Sequence, residues 1–433
     1  MKFSRLLLGA AAMAASTVAH ADPLYVKAGA LIDPATGKVS KDVALVIDEG
    51  KVIAAGTQRA TKVPKGATVI DLGSETIMPG FIDMHTHLTG DADDGAYESL
   101  GYSDERVAIT GVKNARLTLL AGFTTVRDVG ASSYSDIALR DAINEGDVPG
   151  PRMFVSGPPV GISGGHCSDN NLLPAEYALT GEGVANGPWE MRAKVRQNIK
   201  YGVDLIKTCS TGGVFSKGTS LGAAQGTLEE LTAVVEEAHA RGLKVASHAH
   251  GTVGIRNAIL AGVDTVEHAS ILDDETIALA KERGVFLSMD IYNTEYTLAE
   301  GEKNGVLPES IEKEKSISKT QRASFTAANK AGAKMVFGSD SGVYPHGDNP
   351  NQFSRMVQFG MTPIQSITAA TATAADALGK RGLLGCLDVG CAADLVAVTG
   401  DPLKDISVLE KVDFIMKDGH VYKQDGVEAV GIR

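Results

Sequence analysis

The stretch "GFIDMHTHL", residues 80–88, places two histidines one residue apart at the end of an apolar run that starts at Ile77. If this run is a strand, His85 and His87 project from the same side of it, because residues i and i+2 of a strand face one way. Neutral imidazole nitrogens bind zinc-like ions at about 2.0–2.1 Å. The pair therefore predicts two ligands of a metal ion, although histidines at a strand end can also serve only a polar network.

Other side chains that could belong to such a site lie at or just past the ends of four later apolar runs. They are Lys207 in "VDLIKTCS", His248 and His250 in "LKVASHAHG", His268 in "VDTVEHAS" and Asp340 in "AKMVFGSDSG". Imidazole and carboxylate groups gathered in one place bind a divalent metal, and a carboxylate can also accept a proton from a metal-bound water. We therefore predict one metal site, built from the ends of several strands.

The elements that would bring these side chains together alternate along the middle of the chain. Eight apolar runs are each followed by a helical pattern: 77–85, 122–128, 152–157, 203–209, 243–249, 262–268, 284–289 and 333–339. This alternation predicts an α/β fold, a closed parallel (β/α)8 barrel of the TIM type, whose active site lies at the carboxyl ends of the strands. The remaining strand patterns cluster at the two ends of the chain, in 23–75 and 390–430, and predict one small sheet built from both ends.

The first 21 residues have the pattern of a secretory signal peptide. Lys2 and Arg5 precede an apolar core, and Ala19-His20-Ala21 has the small residues of a cleavage site. An uncleaved anchor is the alternative, but the apolar core is shorter than the roughly 20 residues of a membrane span. We therefore expect cleavage near Ala21 and a periplasmic or secreted mature protein. The expected domains are 1–21 for the signal peptide, 22–76 with 386–433 for the β domain, and 77–385 for the barrel.

Charge and cysteine content narrow the class of protein further. The net charge is −12 and no basic block occurs, which argues against nucleic-acid binding, and no later segment is apolar enough to span a membrane. Cys386 and Cys391 flank the turn-like stretch "CLDVGC" and can form a disulfide in an oxidising compartment. Cys167 and Cys209 either pair with each other or stay as thiols, and the sequence does not decide between these.

Taken in order, the motifs resemble those of the metal-dependent amidohydrolase superfamily. "IMPGFIDMHTHL", "AGFTTVRDVG", "VDLIKTCSTGGV", "VASHAHG", "VDTVEHAS" and "FGSDSG" cover nearly all of the mature chain. The stretch "GISGGHC" is most similar to the secreted prolidase-like branch, which contains Xaa-Pro metallo-carboxypeptidases and ochratoxin-hydrolysing amidases. The resemblance implies a (β/α)8 barrel that carries a small β-sandwich.

The resemblance also implies a binuclear centre. It would hold two divalent ions, with Zn²⁺ favoured, on six residues: His85, His87, Lys207, His248, His268 and Asp340. Lys207 would be carboxylated by CO2 and bridge the ions as a carbamate, since a lysine whose pKa is lowered by burial becomes reactive. Outside this family, the ordinary interpretation of Lys207 is an ion pair with Asp204. Asp340 would also act as the general base.

Predicted substrate contacts lie in the loops after the strands. His166 follows Gly164-Gly165 in the long loop 158–188, and Val214 lies in the glycine-rich loop that begins "STGGV". His166 and His250 are expected to stabilise the developing oxyanion or to bind a substrate carboxylate. For His250 the alternative is a role in orienting His248. Tyr292, just past the seventh strand, is a further predicted contact.

The predicted activity is hydrolysis of amide bonds by a metal-activated hydroxide with Asp340 as base. The expected substrates are C-terminal amino-acid or N-acyl amino-acid amides, such as Xaa-Pro-like dipeptides and ochratoxin A-type compounds. One alternative is a cyclic-amide hydrolase resembling imidazolonepropionase. A non-enzymatic alternative is a periplasmic solute-binding protein, which would need two similar lobes around a hinge. Relatives in the family often form homo-oligomers, so we expect a homo-oligomer here.

Overall fold

The computed structural model describes residues 22–167 and 172–429. The predicted signal peptide lies outside these residues. The strands, in chain order, are β1 (Leu24–Asp33), β2 (Lys38–Asp48), β3 (Lys51–Thr57), β4 (Thr68–Asp71), β5 (Thr76–Pro79), β6 (Phe81–Thr86), β7 (Phe123–Asp128), β8 (Arg152–Val155), β9 (Leu205–Cys209), β10 (Lys244–Ala249), β11 (Thr265–His268), β12 (Phe286–Ser288), β13 (Met335–Val336), β14 (Leu395–Val398), β15 (Phe414–Lys417), β16 (His420–Gln424) and β17 (Val427–Glu428).

The helices fill the connections between the strands of the middle segment and continue after the last of these strands. They are α1 (Asp104–Leu120), α2 (Ser135–Glu145), α3 (Pro188–Tyr201), α4 (Leu228–His239), α5 (Thr252–Ala261), α6 (Asp274–Arg283), α7 (Asn293–Glu300), α8 (Pro308–Ala331), α9 (Asn351–Gln358), α10 (Pro363–Ala369) and α11 (Ala372–Ala377). The start of α4 shows how sequence specifies such an element. Thr227 accepts a hydrogen bond from the backbone N–H of Glu230, and Glu230 accepts one from that of Thr227, so the two residues form a capping box.

Both ends of the chain contribute to one nine-stranded sheet. Its order is β17-β16-β15-β14-β5-β1-β2-β3, with β4 also paired to β1. Val26 and Leu45 from the N-terminal strands share an apolar cluster with Leu395 and Met416 from the C-terminal strands. Burial of this shared apolar surface holds the two ends of the chain together.

Eight parallel strands form a closed barrel, as the alternation predicts. β6, β7 and β8 pair in order, and so do β9 to β13. Backbone hydrogen bonds close the two remaining seams. Val160 N–H donates to Lys207 O over 2.8 Å between the β8 and β9 sides, and Met84 N–H donates to Phe337 O over 2.8 Å between β6 and the end of β13. The carboxyl ends of all eight strands therefore surround one mouth.

The predicted strand 77–85 is two strands in the structure, separated at Gly80. β5 pairs with β1 and β14 in the small sheet, whereas β6 pairs with β7 in the barrel. A Cβ on Gly80 would lie 2.2 Å from Oγ1 of Thr124, so only glycine allows the chain to pass from the sheet to the barrel here.

Two helices, α7 and α8, occupy the connection between β12 and β13. α8 has 24 residues, and its buried side chains include Glu314 and Gln321, which are unusual residues for a helix core. Within residues 22–167 and 172–429, no helix has the length and apolar character needed to cross a membrane.

Candidate active site

His85 and His87 each use one ring nitrogen for a fixed contact within the protein. Nδ1 of His85 lies 3.1 Å from Oε2 of Glu267, and Nδ1 of His87 lies 3.0 Å from the carbonyl oxygen of Gly130. Both Nδ1 atoms therefore act as donors, which leaves a lone pair on each Nε2. These Nε2 atoms lie 3.3 and 3.5 Å from Oδ1 of Asp340, so three donor atoms of metal-ligand type converge.

A buried ion pair between Glu267 and Arg127 fixes the orientation of His85. Glu267 is fully buried, and its Oε1 lies 2.7 Å from Nη2 of Arg127. Arg127 also donates from Nε to the carbonyl oxygen of Met84 and from Nη1 to Oγ1 of Thr265, over 2.6 and 2.8 Å. Because the guanidinium fork is fixed at three points, it holds the Glu267 carboxylate, and the carboxylate fixes the ring of His85.

Two site residues adopt a backbone conformation that side chains disfavour. His268 has φ of 68° and Asp340 has φ of 60°. Such left-handed residues cost about 1–3 kcal/mol each and cluster at functional sites. The left-handed backbone at His268 also ends the alternation of side chains between the two faces of β11. As a result the consecutive residues Glu267 and His268 both lie against His85, with the His268 ring 5.0 Å from the His85 ring.

A second group of imidazoles lies beside the first. The ring of His248 lies 4.7 Å from that of His250 and 4.6 Å from that of His268. Nδ1 of His268 is 2.7 Å from Oδ1 of Asp290, and Nδ1 of His250 is 2.8 Å from Oγ of Ser270. Nε2 of His248 is buried and has no hydrogen-bond partner among the described residues. Such a nitrogen fits a divalent metal, since a coordinate bond would satisfy it.

Donor atoms of these residues form overlapping groups that could hold an ion. In each group the ligand atoms lie within 4.8 Å of one another. The groups are His85, His87 and Asp340; His268, Asp290 and Asp340; and His248, His250 and His268. His166 and His248 form a further group with Cys209. Cys209 is bonded to Cys167 in a disulfide, so it has no thiolate to offer.

Lys207 lies within β9 among these residues, and its side chain is only 3% exposed. Within the described part of the chain, no carboxylate lies within ion-pair distance of it. Asp204 instead pairs with Arg140 at 2.9 Å and accepts a hydrogen bond from the N–H of Val155. The interpretation of Lys207 as the partner of Asp204 is therefore wrong. Burial lowers the pKa of Lys207 to about 8.

Burial also keeps most of the imidazoles neutral. It lowers the pKa of His87 to about 4 and that of His166 to about 3, and it holds the pKa of His85 well below its usual range. Burial alone would lower the pKa of His268, but the carboxylate of Asp290 raises it overall. Burial raises the pKa of Asp340 to about 7. A divalent cation would offset the cost of burying that carboxylate, and neutral imidazoles are the form that binds a metal.

These side chains surround a cavity of about 240 Å³. The residues predicted from the sequence that line it are His85, His87, His166, Lys207, Val214, His248, His250, His268 and Asp340. Tyr292 is not among the lining residues. Its ring packs against Tyr344 at 4.9 Å and against the guanidinium of Arg355 at 5.4 Å. A larger cavity of about 780 Å³, near Arg152 and Asp418, contains none of the predicted site residues.

A disulfide attaches the loop that carries His166 to the barrel. Cys167, next to His166, is bonded to Cys209 at the end of β9, with Cα atoms 5.7 Å apart. The second disulfide joins Cys386 to Cys391, with Cα atoms 6.0 Å apart. The His166 ring lies 4.0 Å from that of His248. The first disulfide thus fixes a loop residue against the metal-ligand candidates.

Sequence reasoning missed four charged residues of the site. Arg127 and Glu267 lie inside motifs that the resemblance uses, and a charged residue within an apolar strand was a signal for each of them. Asp290 lies two residues past the end of β12, so the strand-end rule that identifies Asp340 could have found it. Glu314 lies in "PESIEKEKSISK", which has the composition of an exposed helix, and no signal in the sequence indicates that it is buried.

The family model named "Amidohydrolase family" matches residues 76–422. The chain belongs to this family. Ochratoxinase from Aspergillus niger is 33% identical over 92% of this chain and 86% of its own, and its crystal structure superposes with a TM-score of 0.85. A solved Xaa-Pro dipeptidase with bound methionine in the active site is 37% identical over 93% of this chain and 100% of its own, with a TM-score of 0.88.

A more distant relative is imidazolonepropionase from Chromobacterium violaceum. It is 24% identical over 87% of this chain and 91% of its own. The ochratoxinase and the Xaa-Pro dipeptidase are more similar to this chain than imidazolonepropionase is, and they support the prolidase and ochratoxinase branch that the motifs imply.

Proposed function

We propose that this protein is a binuclear metal-dependent hydrolase that cleaves the amide bond before a C-terminal amino acid, in Xaa-Pro-like dipeptides or N-acyl amino acids. The observation that carries the proposal is the convergence of six side chains of metal-ligand or base type on one 240 Å³ cavity at the mouth of the barrel. The ochratoxinase and Xaa-Pro dipeptidase relatives support an amide substrate.

The residues present fit two divalent ions, with Zn²⁺ suited to ligands that are mainly imidazole. His85 and His87 would bind through Nε2, and His248 and His268 would serve the second ion. Bound ions of this class supply Lewis acidity and lower the pKa of water. Lys207 would be the bridging ligand. Its neutral amine would add to CO2 and lose one proton to give a carbamate, and burial without an ion-pair partner favours that neutral amine.

Asp340 would accept the proton of the attacking water and pass it to the leaving amine. Its Oδ1 lies beside the Nε2 atoms of His85 and His87, where the reacting groups must meet. Burial lowers the pKa of His166 and His250, which both line the cavity, and as neutral imidazoles they would donate a hydrogen bond to the carbonyl oxygen or to the substrate carboxylate. Ser270 fixes the ring of His250 through Nδ1. The apolar side chains of Val129, Pro159, Val214 and Phe215 would enclose the hydrocarbon part of the substrate.

A hydrolysis screen tests this function. Xaa-Pro dipeptides, N-acyl amino acids and ochratoxin A are incubated with the metal-loaded protein, with and without a chelator. We expect release of a free C-terminal amino acid from at least one class, and loss of that activity with the chelator. Hydrolysis that survives complete removal of metal, or no hydrolysis of any class by metal-loaded protein, would contradict the proposal.

We further propose that the mature protein acts outside the cytoplasm as a homo-oligomer. N-terminal sequencing of the protein from a periplasmic fraction would find Asp22 or a close neighbour as the first residue. Light scattering of the same sample would give its oligomeric state. A solute-binding protein, the non-enzymatic alternative, needs two similar lobes, whereas the described chain forms one barrel and one sheet.

A further inference from the structure

Glu314, on α8, is a buried carboxylate without a cation. Its side chain is 4% exposed and lines the 240 Å³ cavity. Its Oε1 accepts a hydrogen bond from Oγ1 of Thr294 over 2.5 Å, and its Oε2 has no partner among the described residues. Buried carboxylates are normally paired with a cation. No lysine or arginine of the described chain forms an ion pair with Glu314, and burial raises its pKa. A cationic group of a ligand would favour the charged form of this side chain.

The basic residues near α8 have other partners. Lys313 donates to the carbonyl oxygen of Ser216 and pairs with Glu309, each over 2.7 Å. Arg322 lies 3.5 Å from a carboxylate oxygen of Glu295. Neither side chain forms an ion pair with Glu314, although the Arg322 charge lowers the pKa of Glu314 from a distance.

Asn293 supplies a second acceptor in the same cavity. Its side chain is 6% exposed, and its Nδ2 donates to Oδ2 of Asp290. This contact fixes the orientation of the amide, so that Oδ1 is the acceptor atom that is still available. Oδ1 of Asn293 is buried and has no hydrogen-bond partner among the described residues. Two independent acceptors among the lining residues of this cavity, one of them a carboxylate oxygen, therefore lack donors.

The two acceptors lie close to the reacting centre. Asp290, which holds Asn293, also contacts Nδ1 of His268 at 2.7 Å. Thr294, which holds Glu314, is the neighbour of Asn293 in α7. Val129 and Val214 contribute apolar side chains to the same cavity. A substrate that fills it therefore meets both hydrogen-bond acceptors and hydrocarbon.

We propose that Glu314 and Asn293 form a subsite that binds a cationic nitrogen of the substrate. The nitrogen is either the α-ammonium group of an unblocked dipeptide or the ammonium of a basic side chain. Both are donors that satisfy a carboxylate oxygen and an amide oxygen together, and charge-assisted hydrogen bonds of this kind are the strong ones. The inference rests on the proposed amide hydrolysis, within which it selects charged substrates over neutral ones.

Two matched substrate pairs test the subsite and distinguish the two sources of the charge. Ala-Pro is compared with N-acetyl-Ala-Pro for the α-ammonium group, and N-acetyl-Ala-Lys with N-acetyl-Ala-norleucine for the side chain. In the metal-loaded full-length protein we expect kcat/KM to favour the cationic member at least tenfold in one pair. Glu314→Gln keeps the acceptor for Thr294 but removes the charge, and it should lower that preference at least tenfold.

The control is Glu312→Gln, on the same helix, whose side chain is 72% exposed and pairs with Lys315. This variant should keep the full preference. No preference in either pair, or the same preference in Glu314→Gln as in the wild type, would overturn the subsite. If no compound is hydrolysed, the proposed function fails separately. Calorimetric binding of the same four compounds then decides the subsite, because equal affinity of charged and neutral members for the wild type would exclude it.

Discussion

Contacts within the protein itself determine which ring nitrogen of His85 and of His87 is the donor. Glu267 and the carbonyl oxygen of Gly130 fix Nδ1 of His85 and His87 as donors, so the Nε2 lone pairs point to the same place. The Arg127 guanidinium fixes Glu267 in turn. Metal affinity should therefore depend on residues that would touch no metal.

Glu267→Gln tests that dependence. We expect metal affinity to fall by about 10–100-fold, because an amide orients His85 less firmly than a carboxylate. Stability should also fall, by about 3–5 kcal/mol, because Arg127 is left buried without a counter-charge. Competition with a chelator and urea denaturation measure the two effects. Glu275→Gln, at a side chain that is 83% exposed, is the control and should change neither. Unchanged metal affinity in Glu267→Gln would refute the positioning role.

Asp340→Asn separates the base from the metal site. The amide keeps an oxygen ligand but cannot accept the proton, so kcat should fall by a factor on the order of 10²–10⁴ while bound metal stays the same. Elemental analysis and steady-state kinetics give the two numbers. Asp274→Asn, in the first turn of α6, is the control. Wild-type turnover in Asp340→Asn would rule out its role as base.

Lys207→Ala tests the carbamate. We expect loss of both metal and activity, with partial recovery when a short carboxylic acid such as propionate is added, because the added carboxylate can take the place of the bridge. Lys200→Ala, at the exposed end of α3, serves as the comparison. Wild-type protein freed of bicarbonate should also lose metal, and full retention of metal and activity there would argue against carboxylation.

At the scale of elements, the strands could be predicted and their long-range partners could not. The eight apolar runs are local patterns, and each one contains or overlaps a barrel strand. The break at Gly80 could not be predicted, because it depends on Thr124, a residue of the next strand. Burial of Glu314 depends in the same way on how α8 packs over the cavity. The local sequence predicts that a helix or strand forms, but contacts across the barrel determine which of its faces is buried.

The disulfide between Cys167 and Cys209 helps to hold His166 in place, together with the hydrogen bond from His166 N–H to Oε1 of Gln225. A Cys167→Ser/Cys209→Ser double variant should keep the barrel but release the loop, which raises KM and lowers kcat/KM by about tenfold or more, because a misplaced contact group costs rate. Removal of a cross-link of this span should also lower stability by about 2–4 kcal/mol. Circular dichroism checks that the barrel persists.

The matched control is Cys386→Ser/Cys391→Ser, which removes the disulfide whose cysteines do not line the 240 Å³ cavity. It should leave KM unchanged. An equal rise of KM in both double variants would mean that the effect is general destabilisation and not release of His166.

At the scale of the whole molecule, one glycine joins the nine-stranded sheet to the barrel. Gly80→Ala would place a methyl group against Thr124, and overpacking of this kind costs about 1–3 kcal/mol. Thermal unfolding should show that loss, with the ligand residues themselves unchanged. Gly101→Ala is the control, since a Cβ there meets nothing within 4 Å. Equal stability of both variants would show that the crossing at Gly80 tolerates a side chain.

The seam between β6 and the end of β13 brings together two candidate metal ligands that the ribosome adds at very different times. His85 and Asp340 meet there, through the hydrogen bond from Asp340 N–H to His85 O, although they come from opposite ends of the barrel segment. A nascent chain that ends before residue 335 contains both imidazoles of "HTH" but lacks the carboxylate that completes their group. Binding of a metal ion by this group would therefore require the completed barrel. A chain that crosses a membrane unfolded would obtain its metal only from the compartment in which it folds.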